Sequence, residues 1–122
     1  MNSWGYHLLL NARKCRPATI RSAANIEVFT RNLVKDIDMV AYGNPMIVMF
    51  GTGNKKGYTL VQLIETSNIC AHFVEETNDI YLDVFSCKVF EEDAVKQLVN
   101  RYFIPETMDT KLIVRDASRE MK

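Results

Sequence analysis

Three side chains able to do covalent or proton-transfer chemistry fall in one short stretch, residues 65–87. A hydroxyl stands at Ser67, an imidazole five residues on at His72, and a thiol fifteen beyond that at Cys87. A serine becomes a nucleophile when a base takes its proton. An imidazole exchanges protons near neutral pH, and a thiol titrates close enough to neutrality to give and regain one. Each residue also has a plain structural reading: a turn serine, a hydrogen-bonded strand histidine, a small core cysteine. Their joint placement must decide.

Residues 69–73 and 80–85 read as two strands, joined by the polar turn Glu75-Glu76-Thr77-Asn78-Asp79. Such a hairpin brings Cys87 back beside Ser67. The two-residue period puts Cys70 and His72 on one face of the first strand. Nucleophile, base and thiol are therefore expected to converge.

The rest of the chain must position that hairpin. With 122 residues it reads as one domain over 1–122. Apolar residues at 48% and charged residues at 25% are ordinary for a soluble globular chain. Lys plus Arg equals Asp plus Glu at 15 each, so no global field recruits nucleic acid or an anionic membrane. Cys15, Cys70 and Cys87 are odd in number and lack C-x-x-C spacing, which argues against a disulfide framework or a zinc site and favours a reducing cytosol. A cytoplasmic protein without a signal peptide or membrane span is expected, since no window approaches the length of an apolar span.

In chain order, residues 4–12 alternate as a strand, with Tyr6, Leu8 and Leu10 on one face and His7, Leu9 and Asn11 on the other. Ile26, Phe29, Leu33 and Ile37 recur at helical spacing and predict an amphipathic helix over residues 20–38. Gly43-Asn44-Pro45 breaks the pattern before an apolar strand at 46–50. The glycine-containing stretch 51–57 lacks a P-loop ending and reads as a hairpin connection to a strand at 58–64. Glu91-Glu92-Asp93 opens a second helix, with Val95, Leu98, Val99 and Tyr102 as its apolar stripe, before Pro105 and a closing strand at 108–115. The tail from Ala117 onward is polar and reads as mobile. The order predicts an α+β two-layer sandwich: a mostly antiparallel sheet with two helices on one face. The other face carries enough apolar residues to call for a homodimer.

Laid out this way, the chain resembles the short, prokaryotic-type S-adenosylmethionine decarboxylase proenzymes, from about Gly5 to Val114. The resemblance rests on the Tyr6-His7-Leu8-Leu9-Leu10 strand with Cys15, on Gly57-Tyr58-Thr59 where the family has Gly-x-Ser, on Ser67 and His72, and on Asp83-Val84-Phe85-Ser86-Cys87. It departs at Thr66-Ser67-Asn68, where the family has Glu-Ser-His. It departs again at His72-Phe73-Val74-Glu75-Glu76, where the family has His-Thr-x-Pro-Glu, and at Asn11, where an acid is usual.

Amino-acid decarboxylation needs an electron sink that side chains do not offer. The resemblance implies one made from the chain itself. Ser67 would attack the carbonyl of Thr66, with Thr59 stabilising the oxyanion and His72 taking the α-proton. The chain would then part between Thr66 and Ser67, leaving a pyruvoyl group derived from Ser67. That ketone would form a Schiff base with S-adenosylmethionine, and Cys87 would return the proton after carbon dioxide leaves, supplying aminopropyl groups for spermidine synthesis. No metal is needed. The same resemblance implies a substrate contact at Asn11, where the family's acid is thought to hold the ribose hydroxyls, and at Glu76 in the run after His72. It also implies an active homodimer with the site near the subunit boundary. By their chemistry the aromatics Phe50 and Phe73 could stack on an adenine and face a sulfonium cation, with plain packing as the other reading. Two other readings stay open: a pyruvoyl-dependent arginine or ornithine decarboxylase, motivated by Asn11 and the altered flanks, and an unprocessed regulatory or structural paralogue.

Overall fold

Alternation on the first strand and on the strands around Ser67 lays Leu8, Leu10, Leu60, Ile69, Ala71, Ile80 and Leu82 on a single sheet face, all of them buried. In a computed structural model describing residues 3–120, that face belongs to a six-stranded sheet. The elements in order are β1 (Gly5–Arg13), α1 (Pro17–Ile20), α2 (Ala23–Asp36), β2 (Ala41–Phe50), β3 (Gly57–Ile64), β4 (Ser67–Val74), β5 (Asp79–Ser86), α3 (Glu92–Phe103) and β6 (Thr107–Arg115). Strand order is β2-β3-β4-β5-β1-β6, and every neighbouring pair is antiparallel. The architecture is the expected α+β two-layer sandwich, with the sheet wholly antiparallel.

The helices cover the buried face. Helix α2 buries Ile26, Phe29, Leu33 and Val34, and α3 buries Val95, Leu98, Val99 and Phe103. Phe103 joins the two helices to the sheet, with ring centroids 4.8 Å from Phe29 and 5.4 Å from Phe73. Helix α2 starts later than its apolar period suggests, because Ser22 caps it by accepting from the Asn25 N–H at 3.1 Å. The residues before the cap form the additional short helix α1, opened by Pro17. Its Thr19 hydroxyl and the Arg16 N–H both reach the Phe103 carbonyl at the end of α3.

Gly43-Asn44-Pro45 interrupts β2 without ending it. The strand runs from Ala41 with an irregularity between Tyr42 and Met46. An edge strand tolerates the missing proline N–H. Buried Gln62 donates to the Gly43 carbonyl at 3.2 Å and to the Leu63 carbonyl at 2.7 Å, meeting the polar demand of the bulge. At the other end of this hairpin Gly57 is required: a Cβ there would stand 1.7 Å from the Phe73 carbonyl oxygen. The tail past β6 holds a turn in which the Ser118 hydroxyl and N–H donate to Asp116 and keep its carboxyl below the usual range. Met121 and Lys122, the end of the tail read as mobile, lie outside the described residues.

Among the described residues no helix covers the opposite face. It presents Thr59, Val61, Leu63, Asn68, Cys70, His72, Tyr81, Asp83, Phe85, His7, Leu9 and Asn11. Leu63 on β3 and Met46 on β2 are 50% and 61% exposed, an apolar load that open water does not favour.

Candidate active site

Ser67 is the first residue of β4, opposite Ile64 on β3 and Ser86 on β5. Glu65 and Thr66 form the two-residue turn before it. Neither takes a positive φ, so the turn is not of the primed types that suit twisted hairpins. The bond between Thr66 and Ser67 is thus held by its neighbours rather than by turn preference. The Cys87 N–H donates to the Thr66 carbonyl oxygen at 3.0 Å. The Ser86 hydroxyl, fully buried, donates to the Thr66 hydroxyl at 2.8 Å, and that hydroxyl in turn points to Met39 Sδ at 3.2 Å. Cys87 itself is exposed. The β4–β5 hairpin therefore brings Cys87 beside Ser67, as its turn predicts.

His72 does not join them. It lies five positions along β4, roughly 17 Å away at about 3.3 Å per strand residue. Alternation puts it on the uncovered face, whereas Ser67 shares the helix-side parity of Ile69 and Ala71. The partner of His72 is Thr59, directly opposite on β3, with Oγ1 to Nδ1 at 3.2 Å. The convergence of nucleophile, base and thiol expected within one chain is corrected here: the thiol meets the serine and the base does not. Strand alternation and length divide the set into Ser67 with Cys87 at one end and Thr59 with His72 at the other.

The cross-strand register through His72 defines a row on the uncovered face: Val48, Thr59, His72, Tyr81, Asn11, Asp109. Asn11 is exposed within it. Phe50, 57% exposed at the end of β2, and Glu76, exposed in the β4–β5 turn, flank the same end of the sheet. Phe73 is a correction. It is 1% exposed, faces the helices and packs on Phe103, so its ring meets core rather than ligand. Cys15 is buried, and burial first, then Asp79, pushes its thiol up to about 12. Cys70 faces Asp83 on the uncovered side, and its thiol is raised by partial burial and by that carboxylate. Among the described residues no group of three or more His, Cys, Asp or Glu could hold a metal ion.

The sequence reading missed a cluster at the Ser67 end. Phe85 stands opposite Asn68 and is flanked by Trp4 at 5.6 Å, His7 at 5.3 Å and the Arg115 guanidinium at 5.0 Å over its ring. His7 also lies 3.5 Å from Asp83. Trp4, Phe85 and Arg115 line a groove of about 650 Å³ with residues 116–119, large enough for a small molecule. The alternation that put His7 with Leu9 and Asn11 was a signal for it. Nothing local in the sequence tied β6 to β1 in this register.

The fold is thus a two-layer sandwich with Ser67 and Cys87 together at one end of the sheet and the Thr59–His72 pair on its bare face toward the other. Residues 6–116 match the family described as S-adenosylmethionine decarboxylase, and the chain belongs to that family. Among solved structures it is similar to the crystal structure of the adenosylmethionine decarboxylase from Aquifex aeolicus VF5. The TM-score is 0.80 and the identity 18%, over 100% of this chain and 98% of that one, a likeness of fold. No curated protein sequence matches. The family and the fold support the decarboxylase reading, and neither favours an arginine or ornithine decarboxylase.

Proposed function

We propose that the chain is a proenzyme that cleaves itself between Thr66 and Ser67 and then decarboxylates S-adenosylmethionine, as a cytoplasmic homodimer supplying aminopropyl groups for spermidine synthesis. The observation that carries this reading is the grip on the Thr66 carbonyl: the Cys87 N–H donates to the oxygen that would become negative. A fixed donor there favours attack on the carbonyl carbon, and the attacking group is the next residue. The Ser67 oxygen forms an ester bond to that carbon while the peptide C–N bond breaks, and the hydroxyl proton passes to the released amine. Loss of the Ser67 α-proton to a base then expels the Thr66 carboxylate. Hydrolysis of the resulting dehydroalanine releases ammonia and leaves a pyruvoyl group at residue 67.

The residues fit such a group. Its carbonyl would start β4 beside Cys87, whose exposed thiol is the proposed proton donor to the substrate α-carbon. The ketone, once present, supplies the electron sink for decarboxylation.

The base must come from elsewhere than the same chain, given the span from Ser67 to His72. A second copy answers this. When two uncovered faces stack about a twofold axis lying between the sheets and across the strands, the Thr59–His72 end of one chain lies over the Ser67–Cys87 end of the other. Both ends are then completed twice, and Leu63, Met46, Val48 and Tyr81 leave water. In that arrangement Thr59 and His72 approach the partner's Thr66–Ser67 junction from the uncovered side, opposite the Ser67 side chain, with Thr59 as oxyanion donor to the Thr66 carbonyl and His72 as base for the backbone α-proton of residue 67. Asn11, Phe50 and Glu76 at the same end, with Trp4 and Phe85 opposite, would border one substrate.

Denaturing mass spectrometry of the purified chain tests this. Two fragments are expected, the second lacking an amine and carrying a ketone. A single species at full mass after long incubation would overturn self-cleavage and favour an unprocessed paralogue.

A further inference from the structure

Ser86 takes no chemical step above, yet its side chain is a buried polar group held directly against the scissile turn. It is 0% exposed. Its oxygen accepts from the Lys88 N–H at 3.0 Å, and of the two acceptors its hydroxyl faces, the Thr66 hydroxyl at 2.8 Å is nearer than the weakly accepting Met39 sulfur at 3.6 Å. Lys88 is itself anchored, its Nζ donating to the Asp38 carbonyl at 2.6 Å and to the Asp38 carboxylate at 2.9 Å. A buried serine needs a partner. What the need for a partner does not explain is the choice of partner, the side chain of the residue whose carbonyl is to be attacked.

Thr66 is β-branched, so holding its hydroxyl fixes χ1. Residues 86–88 then hold Thr66 at two points, the hydroxyl through Ser86 and the carbonyl oxygen through the Cys87 N–H. Between these points lies the bond whose rotation turns the carbonyl toward or away from the neighbouring hydroxyl. Glu65 and Thr66 are not glycine and take no positive φ, so the turn is not of the primed types that fix hairpin geometry by themselves. Intramolecular attack is fast only when the carbonyl stays in the reactive orientation.

We propose that Ser86 is a positioning residue for self-cleavage, its hydroxyl holding Thr66 so that the Thr66 carbonyl stays aligned for attack by Ser67. The inference rests on the self-cleavage reading above.

The test is the rate of appearance of the two fragments from the full chain, followed by denaturing mass spectrometry beside a melting curve. Thr66→Val keeps the shape and removes the hydroxyl, while Thr66→Ser keeps the hydroxyl. Losing one hydrogen bond of ordinary strength slows cleavage roughly five- to tenfold. That loss is expected for Thr66→Val and for Ser86→Ala, with Thr66→Ser within about twofold of the wild type. The double variant should be no slower than the slower single one, because both remove the same contact. Should Ser86→Ala fail to fold, the half-buried Thr66 pair still decides. Thr66→Val cleaving at the wild-type rate, Thr66→Ser as slow as Thr66→Val, or effects that multiply in the double variant would each overturn the inference while leaving self-cleavage intact. A wild-type chain that never cleaves would overturn the underlying reading, and this inference with it.

Discussion

Thr59 and His72 face each other across β3 and β4, Oγ1 to Nδ1 at 3.2 Å, on the sheet face that no helix covers. Ser67 starts the same strand as His72 but lies five positions away on the other pleat. Within one copy, the serine and the histidine proposed for self-cleavage therefore stand apart on one strand.

Complementation between chains follows. Ser67→Ala and His72→Ala, each made alone, are expected to stay uncleaved. Co-expressed with distinguishable tags, they should form mixed dimers in which the His72→Ala chain is cut, because its serine meets the intact histidine of the other copy. The mass of each tagged chain reads the result. Cleavage of the Ser67→Ala chain, or of neither, would refute the exchange.

Such exchange requires a stable dimer. Light scattering at micromolar concentration should give twice the 14.0 kDa of one chain. Leu63→Lys, placing a charge on a side chain that is 50% exposed in the single copy, should shift the mass toward one chain and slow cleavage together.

Cys87→Ala removes the proposed proton donor but leaves the backbone N–H that holds the Thr66 carbonyl. Fragments should still appear. Turnover of S-adenosylmethionine by the cleaved protein should fall roughly a hundredfold or more, the usual scale for losing a general acid. Wild-type turnover without side products would remove the thiol from the mechanism.

The three thiols should alkylate in an order set by exposure. The thiolate is the reactive form. Cys87 is exposed, while Cys70 is partly buried and raised, and Cys15 is buried and pushed up to about 12. At pH 8 a small alkylating reagent should modify Cys87 first and leave Cys15 untouched until the chain unfolds. Peptide mapping over time shows the order, and early labelling of Cys15 would contradict its burial.

Phe73→Ala separates core from ligand contact. Its ring is 1% exposed and packs on Phe103. Truncation should cost roughly 3–5 kcal/mol of stability, the range for a buried aromatic. Denaturant unfolding measures it. A variant as stable as the wild type with weakened substrate binding would return Phe73 to the site.

Much of this molecule follows from the sequence by itself. Two-residue alternation on β1, β4 and β5 and three-to-four spacing in α2 and α3 separate strand from helix, because each period puts apolar side chains on one side of its element. The polar turn after Val74 suffices to return Cys87 to Ser67, since an antiparallel hairpin pairs its open ends. The helix start at Ser22 was less legible, because Ile20 belongs to the apolar period and only the capping contact shows where the helix begins. The run through Pro45 was hidden too, because its bulge is satisfied by Gln62 from the neighbouring strand. Tertiary structure alone decided which candidates meet. Spacing of five between Ser67 and His72 looks like proximity in a list of residues, but an extended strand turns it into a long separation and an odd offset into opposite faces. The register of β3 on β4 matched Thr59 to His72, and the register of β5 on β4 put Ser86 on Thr66. Those pairings are set by long-range backbone hydrogen bonds and the shared core beneath them, which no local pattern encodes.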